Sequence, residues 1–290
     1  MGALLMKKLV ILFALFPSVV LAQTFESWRI TSGVTAWAKT SDKQTFETSF
    51  DGAFLQSNRS RGVNGFGLTW VDDAWQRAGY SNPSVGTDNF SLSVNLDLVE
   101  AKGGYTVLRH QPWQFYGGVS LDDPWALAPP LREAATVLRG KNLKRFALSP
   151  FAEPGQPGDG DGGLYVNTLK LEACYDVWIP AIREIAPLLT VIVSPPGWGH
   201  LHECKYFTKK WTNTIFAHDV YLMPSDPIEK LIANDAAFHK ARGEKVLFME
   251  AGIADRSKVG TLEEKNVLDR IKASCALYGV KVFLWQQAGT

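Results

Sequence analysis

Two glutamates occupy similar places in the sequence, each after a short apolar run. Glu153 lies shortly after Phe146–Leu148 and is followed at once by Pro154, and Glu250 directly follows the apolar residues 246–249. An apolar run without alternation is typical of a buried strand, and a proline cannot continue the hydrogen-bond ladder of a strand. Both carboxylates are therefore expected where a strand gives way to a loop. Two carboxylates facing one site are the groups that cleavage of a glycosidic bond requires.

The segments that must position these glutamates alternate between strand-like and helix-like patterns. The predicted strands are Ile30–Trp37, Val63–Trp70, Tyr105–Leu108, Phe146–Leu148, Leu189–Val193, Thr214–Leu222, Lys245–Glu250 and Val280–Trp285. The predicted helices are Thr45–Gln56, Asn89–Ala101, Pro130–Leu138, Leu164–Ile185, Ile228–Ala241 and Leu262–Leu277. This alternation is typical of parallel βαβ units, and eight units favour a closed barrel over an open doubly wound sheet. The sequence therefore predicts an α/β protein, a (β/α)8 TIM barrel of one domain, with Glu153 and Glu250 at its catalytic rim.

The composition limits the classes of function. The 290 residues are 46% hydrophobic, which is enough for the core of one large domain. The net charge of +1 supplies no field for binding a polyanion, so no nucleic-acid partner is expected. The ten tryptophans can serve as core residues or as surfaces on which sugar rings stack. A monomer is predicted.

The first 22 residues have the pattern of a signal peptide. Two lysines precede the apolar run Leu9–Leu21, and residues 20–22 fit a small-residue cleavage site. The apolar run is shorter than the roughly 20 residues that a membrane span needs. We therefore expect export, a secreted or periplasmic location, a mature domain over residues 23–290, and no stable membrane insertion after cleavage.

Two further patterns contain residue types that bind metals. His200, His202 and Cys204 alternate within five residues, but nothing nearby completes the three or four convergent ligands of a zinc site. The loop around Asp159 and Asp161 lacks the further acidic ligands of a calcium-binding loop. No metal and no other cofactor is therefore predicted.

The chain has three cysteines, and export permits a disulfide. Cys174 and Cys204 are the predicted pair. Cys275 lies in a predicted amphipathic helix and is expected to be a small buried apolar residue.

Four segments of the chain resemble glycoside hydrolase family 5, the cellulase family of clan A. Residues 104–110 resemble the third barrel strand of that family, which ends in a histidine, and residues 151–154 resemble the Asn-Glu-Pro of its fourth strand. Residues 178–193 resemble the helix and strand that follow, and Lys245–Gly252 resembles the seventh strand, which carries the second glutamate. The resemblance covers most of the mature chain.

The resemblance implies a role for each residue of the site. Glu250 would attack the anomeric carbon, and Glu153 would protonate the leaving oxygen and then activate water, which requires carboxyls about 5 Å apart. Tyr221 would hydrogen-bond Glu250, and Trp285 would form the floor of the cleaved subsite. Trp37 and Trp198, which end or follow strands, are expected to line the cleft. The full set of predicted substrate-binding residues is His110, Arg109, Asp219, Tyr221, Trp285, Trp37 and Trp198.

The sequence departs from the family at three places. Ala152 stands where the family has Asn, Asp219 stands where it has His, and the second strand has no Arg. Arg109 is a candidate for the missing positive charge, and it is equally suited to a salt bridge on the barrel wall. Two roles are equally suited to His110. It would contact the sugar or orient a carboxylate, or it would be a hydrogen-bonded histidine at the rim without a part in binding. The small side chain of Ala152 predicts room for a substituent at the 2-position of the sugar.

Together these features predict an exported, retaining glycoside hydrolase that cleaves a β-linked polysaccharide or oligosaccharide. The alternative is a carbohydrate-binding protein that has lost catalysis on the same barrel. A weaker alternative is a barrel hydrolase whose glutamates bind metal.

Overall fold

Eight parallel strands close into a barrel in the computed structural model of the chain, which describes residues 24–38, 49–50, 52–70, 96–110, 121–152, 154, 163–197, 201, 205 and 207–285. The strands are β1 Gly33–Ala38, β2 Gly65–Trp70, β3 Tyr105–His110, β4 Phe146–Ser149, β5 Thr190–Val193, β6 Thr214–Leu222, β7 Val246–Ile253 and β8 Lys281–Trp285. Each strand pairs with the next, and β1 pairs with β8. The predicted single-domain (β/α)8 TIM barrel is confirmed.

Helices surround the barrel between the strands. They are α1 Gly52–Ser60, α2, described over residues 96–101, α3 Ala128–Arg139, α4 Gly163–Ile185, α5 Ile228–Arg242 and α6 Leu262–Tyr278. The four predicted helices from α3 onward agree with the structure to within two residues at each end. Thr261 caps α6 by accepting a hydrogen bond from the Glu264 amide on its side-chain oxygen.

The helix predicted over Thr45–Gln56 is wrong at residues 49 and 50, and residues 45–48 lie outside the described residues. Ser49–Phe50 forms a short parallel strand beside Trp37–Ala38 at the end of β1, and α1 begins only at Gly52. The pairing partner lies more than ten residues away in the sequence. Local periodicity therefore could not reveal this strand, because a strand pairing is a long-range contact.

Two apolar layers hold the barrel together. The interior of the barrel is filled by side chains that include Tyr105, Val107, Ala147, Ile192, Ala217, Leu247, Met249 and Phe283. The alternate residues of the same strands face outward and pack against the helices, as Leu108 and Leu148 do. Because side chains of a strand alternate between its two faces, this inner and outer pattern determines which residues reach the mouth of the barrel.

The disulfide predicted between Cys174 and Cys204 is wrong. Cys174 is a free, buried thiol in the core between α4 and its neighbours, and its Sγ lies 3.4 Å from the carbonyl oxygen of Leu121. Burial raises the pKa of Cys174 to about 12, and the nearby Asp122 and Asp123 add to this. Cys204 lies outside the described residues.

Cys275 is buried in α6, as predicted, and burial raises the pKa of its thiol to about 12. The predicted signal peptide lies outside the described residues. Among the helices that the structure describes, none combines the length and the apolar character needed to cross a membrane.

Candidate active site

Four polar side chains meet at the C-terminal mouth of the barrel: Arg109, Asp219, Tyr221 and Glu250. Arg109 is two residues beyond Val107 of β3, which faces the barrel interior, so it faces the same way. Asp219 and Tyr221 follow Ala217 of β6 at the same spacing of two. Regular alternation therefore delivers these three side chains to the mouth.

Glu250 reaches the mouth by a different route. Leu247 and Met249 of β7 both face the barrel interior, so regular alternation would turn Glu250 outward, toward the helices. The pairing of β6 with β7 shifts at this point: His218 pairs with Phe248, but Asp219 pairs with Glu250. Met249 is the extra residue of a β-bulge, a feature that re-aims side chains at the rims of barrels. The bulge places Glu250 opposite the inward-facing Asp219.

The barrel interior supports the bulge from behind. The hydroxyl of Thr35 on β1 donates a hydrogen bond to the carbonyl oxygen of Met249, which satisfies a backbone group at the irregular position. Gly67 of β2 faces the same place, and a Cβ on it would lie 2.5 Å from Thr35 Oγ1 and 3.0 Å from Met249 Cε. A glycine is therefore needed at residue 67 for this arrangement to fit.

Arg109 joins the two carboxylates of the mouth. Its Nη1 bonds to Glu250 Oε1, and its Nη2 lies 3.1 Å from Asp219 Oδ2. The three residues are between 2% and 5% exposed. Thr69 of β2 is 3.5 Å from Nη1 of the same guanidinium. One positive charge thus pairs with two buried carboxylates. Arg109 is therefore both a positive charge in the site and a salt-bridge residue, so the two alternatives predicted for it are the same contact.

Tyr221 holds the other oxygen of Glu250. Its hydroxyl donates to Glu250 Oε2 at 2.6 Å, so each carboxylate oxygen has one donor and the carboxylate is held in one orientation. The ring of Tyr221 lies directly over Gly252, its paired residue on β7, where a Cβ would come within 2.8 Å of the ring atom Cε1. Neither this dependence on Gly252 nor the contact of Thr69 with Arg109 is visible in the sequence, because both arise from contacts between strands.

His110 points away from the mouth. It alternates with Arg109, it is fully buried, and its Nδ1 lies 3.0 Å from the carbonyl oxygen of Pro150. Its own carbonyl oxygen accepts a hydrogen bond from the Ala152 amide at 2.7 Å. Two hydrogen bonds therefore tie the end of β3 to the turn that leads from β4 to Glu153. This geometry favours the alternative of a hydrogen-bonded histidine.

Ala152 is fully buried as well. Its methyl group lines no open space, so the room expected there for a substituent on the sugar is not found. The prediction of a 2-substituted substrate loses its structural basis for this reason.

The structure describes only some of the remaining predicted site residues. Glu153 and Trp198 lie outside the described residues, so the separation of the two carboxyls stays a prediction. The backbone of Trp37 lies at the C-terminal end of β1, paired with Thr69. Trp285 ends β8 two residues after the inward-facing Phe283 and is partly buried, so it is placed at the mouth. His200, His202 and Cys204 are outside the described residues.

Comparisons with known proteins show that the fold occurs in glycan-degrading enzymes. No protein-family model and no curated protein matches the sequence. An endoglucanase of Pseudomonas stutzeri is similar in structure, with a TM-score of 0.66, 16% identity, and coverage of 88% of this chain and 85% of that one. The catalytic domain of a Thermobifida fusca endoglucanase, in complex with cellotetraose, has a TM-score of 0.63, 14% identity, and coverage of 90% and 80%.

A third similar structure is the clostridial cellulose synthase subunit Z of Clostridioides difficile, with a TM-score of 0.66, 12% identity, and coverage of 90% of this chain and 93% of that one. At such low identities these likenesses show that the fold is shared.

Proposed function

We propose that this protein is an exported, retaining glycoside hydrolase that cleaves a β-linked polysaccharide or oligosaccharide. The observation that carries the proposal is the orientation of Glu250. The bulge in β7 turns its carboxylate into the mouth of the barrel, and Arg109 and Tyr221 each bond one of its oxygens. Active sites of (β/α)8 enzymes lie at this face of the barrel.

Glu250 is assigned as the nucleophile. A nucleophile that attacks one carbon must be held in one orientation, and positioning of this kind supplies a large part of catalytic power. A carboxylate with a donor on each oxygen meets this requirement. Glu153 is assigned as the acid/base residue, since it follows β4 and retaining enzymes need a second carboxyl about 5 Å from the first.

The structural neighbours support the proposed substrate class. The Thermobifida fusca enzyme is an endoglucanase and holds cellotetraose, a β-linked glucan fragment. Trp285 at the end of β8 offers an aromatic surface for a sugar ring. Asp219 replaces the family's histidine and is bound to Arg109, so the contacts of this site with the sugar differ from those of the family. We therefore propose a β-linked glycan and leave its sugar unspecified.

The alternative is a carbohydrate-binding protein without catalysis. The observation that favours it is that Arg109 is paired with Asp219 as well as with Glu250, so its positive charge is shared between the two carboxylates.

One experiment separates the two functions. Purified protein spanning residues 23–290 is incubated with a panel of β-linked polysaccharides, and new reducing ends are measured beside those formed by Glu250→Gln. We expect wild type to release reducing ends from at least one glycan, the Gln variant to release none, and NMR to show product of retained anomeric configuration. Binding by both proteins without any release would establish the alternative.

The role of Glu153 predicts a dependence on the leaving group. A general acid matters most when the leaving oxygen is a poor leaving group, so Glu153→Ala should lower kcat/KM on an oligosaccharide by about 10²- to 10⁴-fold. On an activated aryl glycoside the formation of the glycosyl-enzyme should change little. Parallel kinetics with both substrates, under pre-steady-state conditions for the aryl glycoside, test this. Equal losses on the two substrates would remove Glu153 from the role.

The contact between Gly252 and Tyr221 predicts a coupled pair of mutations. Gly252→Ala forces the ring away from Glu250, so it should cost about 10- to 100-fold in kcat, the value of one hydrogen bond to a charged group. Tyr221→Phe should cost a similar factor. The double variant should be no worse than either single variant, because both remove the same bond. Gly140→Ala, where a Cβ meets its nearest neighbour at 3.7 Å, is the control. Fully additive losses would contradict the coupling.

A further inference from the structure

A second group of polar residues is buried behind β6, outside the barrel. His218 of β6 faces α5, where Asp235 and His239 lie one helical turn apart, and all three are at most 1% exposed. His218 Nε2 is 3.1 Å from His239 Nε2 and 3.4 Å from Asp235 Oδ1, and His239 Nε2 is 3.9 Å from the same Oδ1. Among the described residues, no other three His, Cys, Asp or Glu side chains bring possible metal-ligand atoms this close together.

We propose that His218, Asp235 and His239 bind one divalent transition-metal ion of the zinc class. The circle through the three ligand atoms has a radius of about 2.0 Å, so one point lies at the length of a Zn–N or Zn–O bond from all of them. Two imidazoles and one carboxylate suit zinc, because hard cations such as Mg²⁺ prefer oxygen ligands alone.

The surroundings of the three ligands have the features of a metal site. His239 Nδ1 lies 3.0 Å from Glu244 Oε2, and Arg242 Nε holds the other oxygen of Glu244 at 2.7 Å. Histidine ligands of metals usually donate their second nitrogen to a carboxylate, which sets the tautomer and the ring orientation. A carboxylate on Nδ1 directs the lone pair of His239 Nε2 toward His218 and Asp235.

A surface groove approaches this place from the side of His239. A groove of about 680 Å³ runs between the ends of α5 and α6 and the segment before β1, and His239 and Glu244 are among its lining residues. Of the three proposed ligands only His239 lines this groove, which lies at the N-terminal face of the barrel, on the side opposite the candidate active site.

The competing explanation is a hydrogen-bonded network without metal. The ring centroids of His218 and His239 are 5.4 Å apart, so the two Nε2 atoms face each other and can share one N–H proton. Metal binding would replace that shared proton and require both rings to tilt toward Asp235. The two explanations differ in what they predict for bound metal.

The site would be structural and not catalytic. His218 is the last residue before the shift in pairing between β6 and β7, and Asp219 comes next. An ion that joins β6 to α5 at His218 would hold the strand at the position from which Asp219 enters the mouth. This inference does not depend on the proposed glycosidase activity.

The test measures bound metal in the whole protein. Wild type is unfolded in denaturant with chelator, refolded with Zn²⁺ or Co²⁺, freed of loose ions by gel filtration, and analysed by elemental mass spectrometry. We expect about one ion per chain, visible absorption bands of protein-bound Co²⁺ in the cobalt form, and a higher urea midpoint for the zinc form than for the metal-free form. The cobalt spectrum is read on wild type, so it does not depend on whether a variant folds.

Two sets of variants locate the ion. Asp235→Asn and His239→Gln are expected to lose the ion and the difference in urea midpoint. His200→Gln combined with His202→Gln is the control, because these histidines belong to a different pattern in the sequence, and this variant should keep both. Wild type without a stoichiometric ion would overturn the proposal in favour of the hydrogen-bonded network. An ion that is lost with His200 and His202 but kept by Asp235→Asn would overturn it as well.

Discussion

Glu250→Ala is expected to lower the hydrolysis of β-linked glycans by about 10³-fold or more, because removal of a nucleophile eliminates the covalent route. The fold should survive the change, since Arg109 keeps its bond to Asp219 and does not become an unpaired buried charge. The measurement is kcat/KM on the best substrate of the polysaccharide panel, with the urea midpoint recorded on the same preparation.

Added azide gives this prediction a chemical control. The cavity left by the missing carboxylate admits a small anionic nucleophile, so azide should restore turnover of an activated aryl glycoside and yield a glycosyl azide of inverted configuration. Glu263→Ala, which removes an exposed carboxylate at the start of α6, should retain full activity. An alanine variant at residue 250 that keeps more than a tenth of wild-type turnover would disprove the assignment of the nucleophile.

Arg109→Met is expected to lower the free energy of unfolding by about 3–5 kcal/mol, the cost of removing one partner from a buried ion pair. The guanidinium is 2% exposed and is bonded to Asp219 and Glu250, so its loss leaves two buried carboxylates without their cation. Urea unfolding of wild type and variant at neutral pH measures the difference.

A triple variant shows whether the loss is electrostatic. Arg109→Met combined with Asp219→Asn and Glu250→Gln carries no charge at these three positions. The cost of removing one partner comes from the buried charges left uncompensated, and this variant has none, so it should regain much of the lost stability. If the triple variant is no more stable than Arg109→Met alone, the cost comes from lost packing of the long arginine side chain, and the ion network contributes little.

The fold was largely predictable because its signal is local. The strand Thr214–Leu222 was predicted with both ends correct, because it is rich in the β-branched, aromatic and aliphatic residues that favour strands. Helix α6 was predicted over Leu262–Leu277 and is observed over Leu262–Tyr278. The exception, Ser49–Phe50, depends on a partner strand and not on its own sequence.

The chemistry of the mouth was predictable in part. Glu250 was indicated by its place at the end of an apolar run, and Arg109, Asp219 and Tyr221 were indicated by the resemblance to a known family. That one guanidinium joins both carboxylates was not predictable, since the three residues come from β3, β6 and β7 and approach one another only when the barrel closes.

The sequence by itself determined the class of fold and the set of polar groups carried to its rim, because hydrophobic periodicity and residue type are local properties. The tertiary structure decided which way Glu250 points. In a regular strand Glu250 would point toward the helices, because Met249 before it faces the barrel interior. Only the shift in pairing with β6, supported by the Thr35 hydroxyl, turns the carboxylate inward. The tertiary structure also brings His218, Asp235 and His239 together. The sequence shows that Asp235 and His239 are one helical turn apart, but it does not show that His218 of β6 faces them.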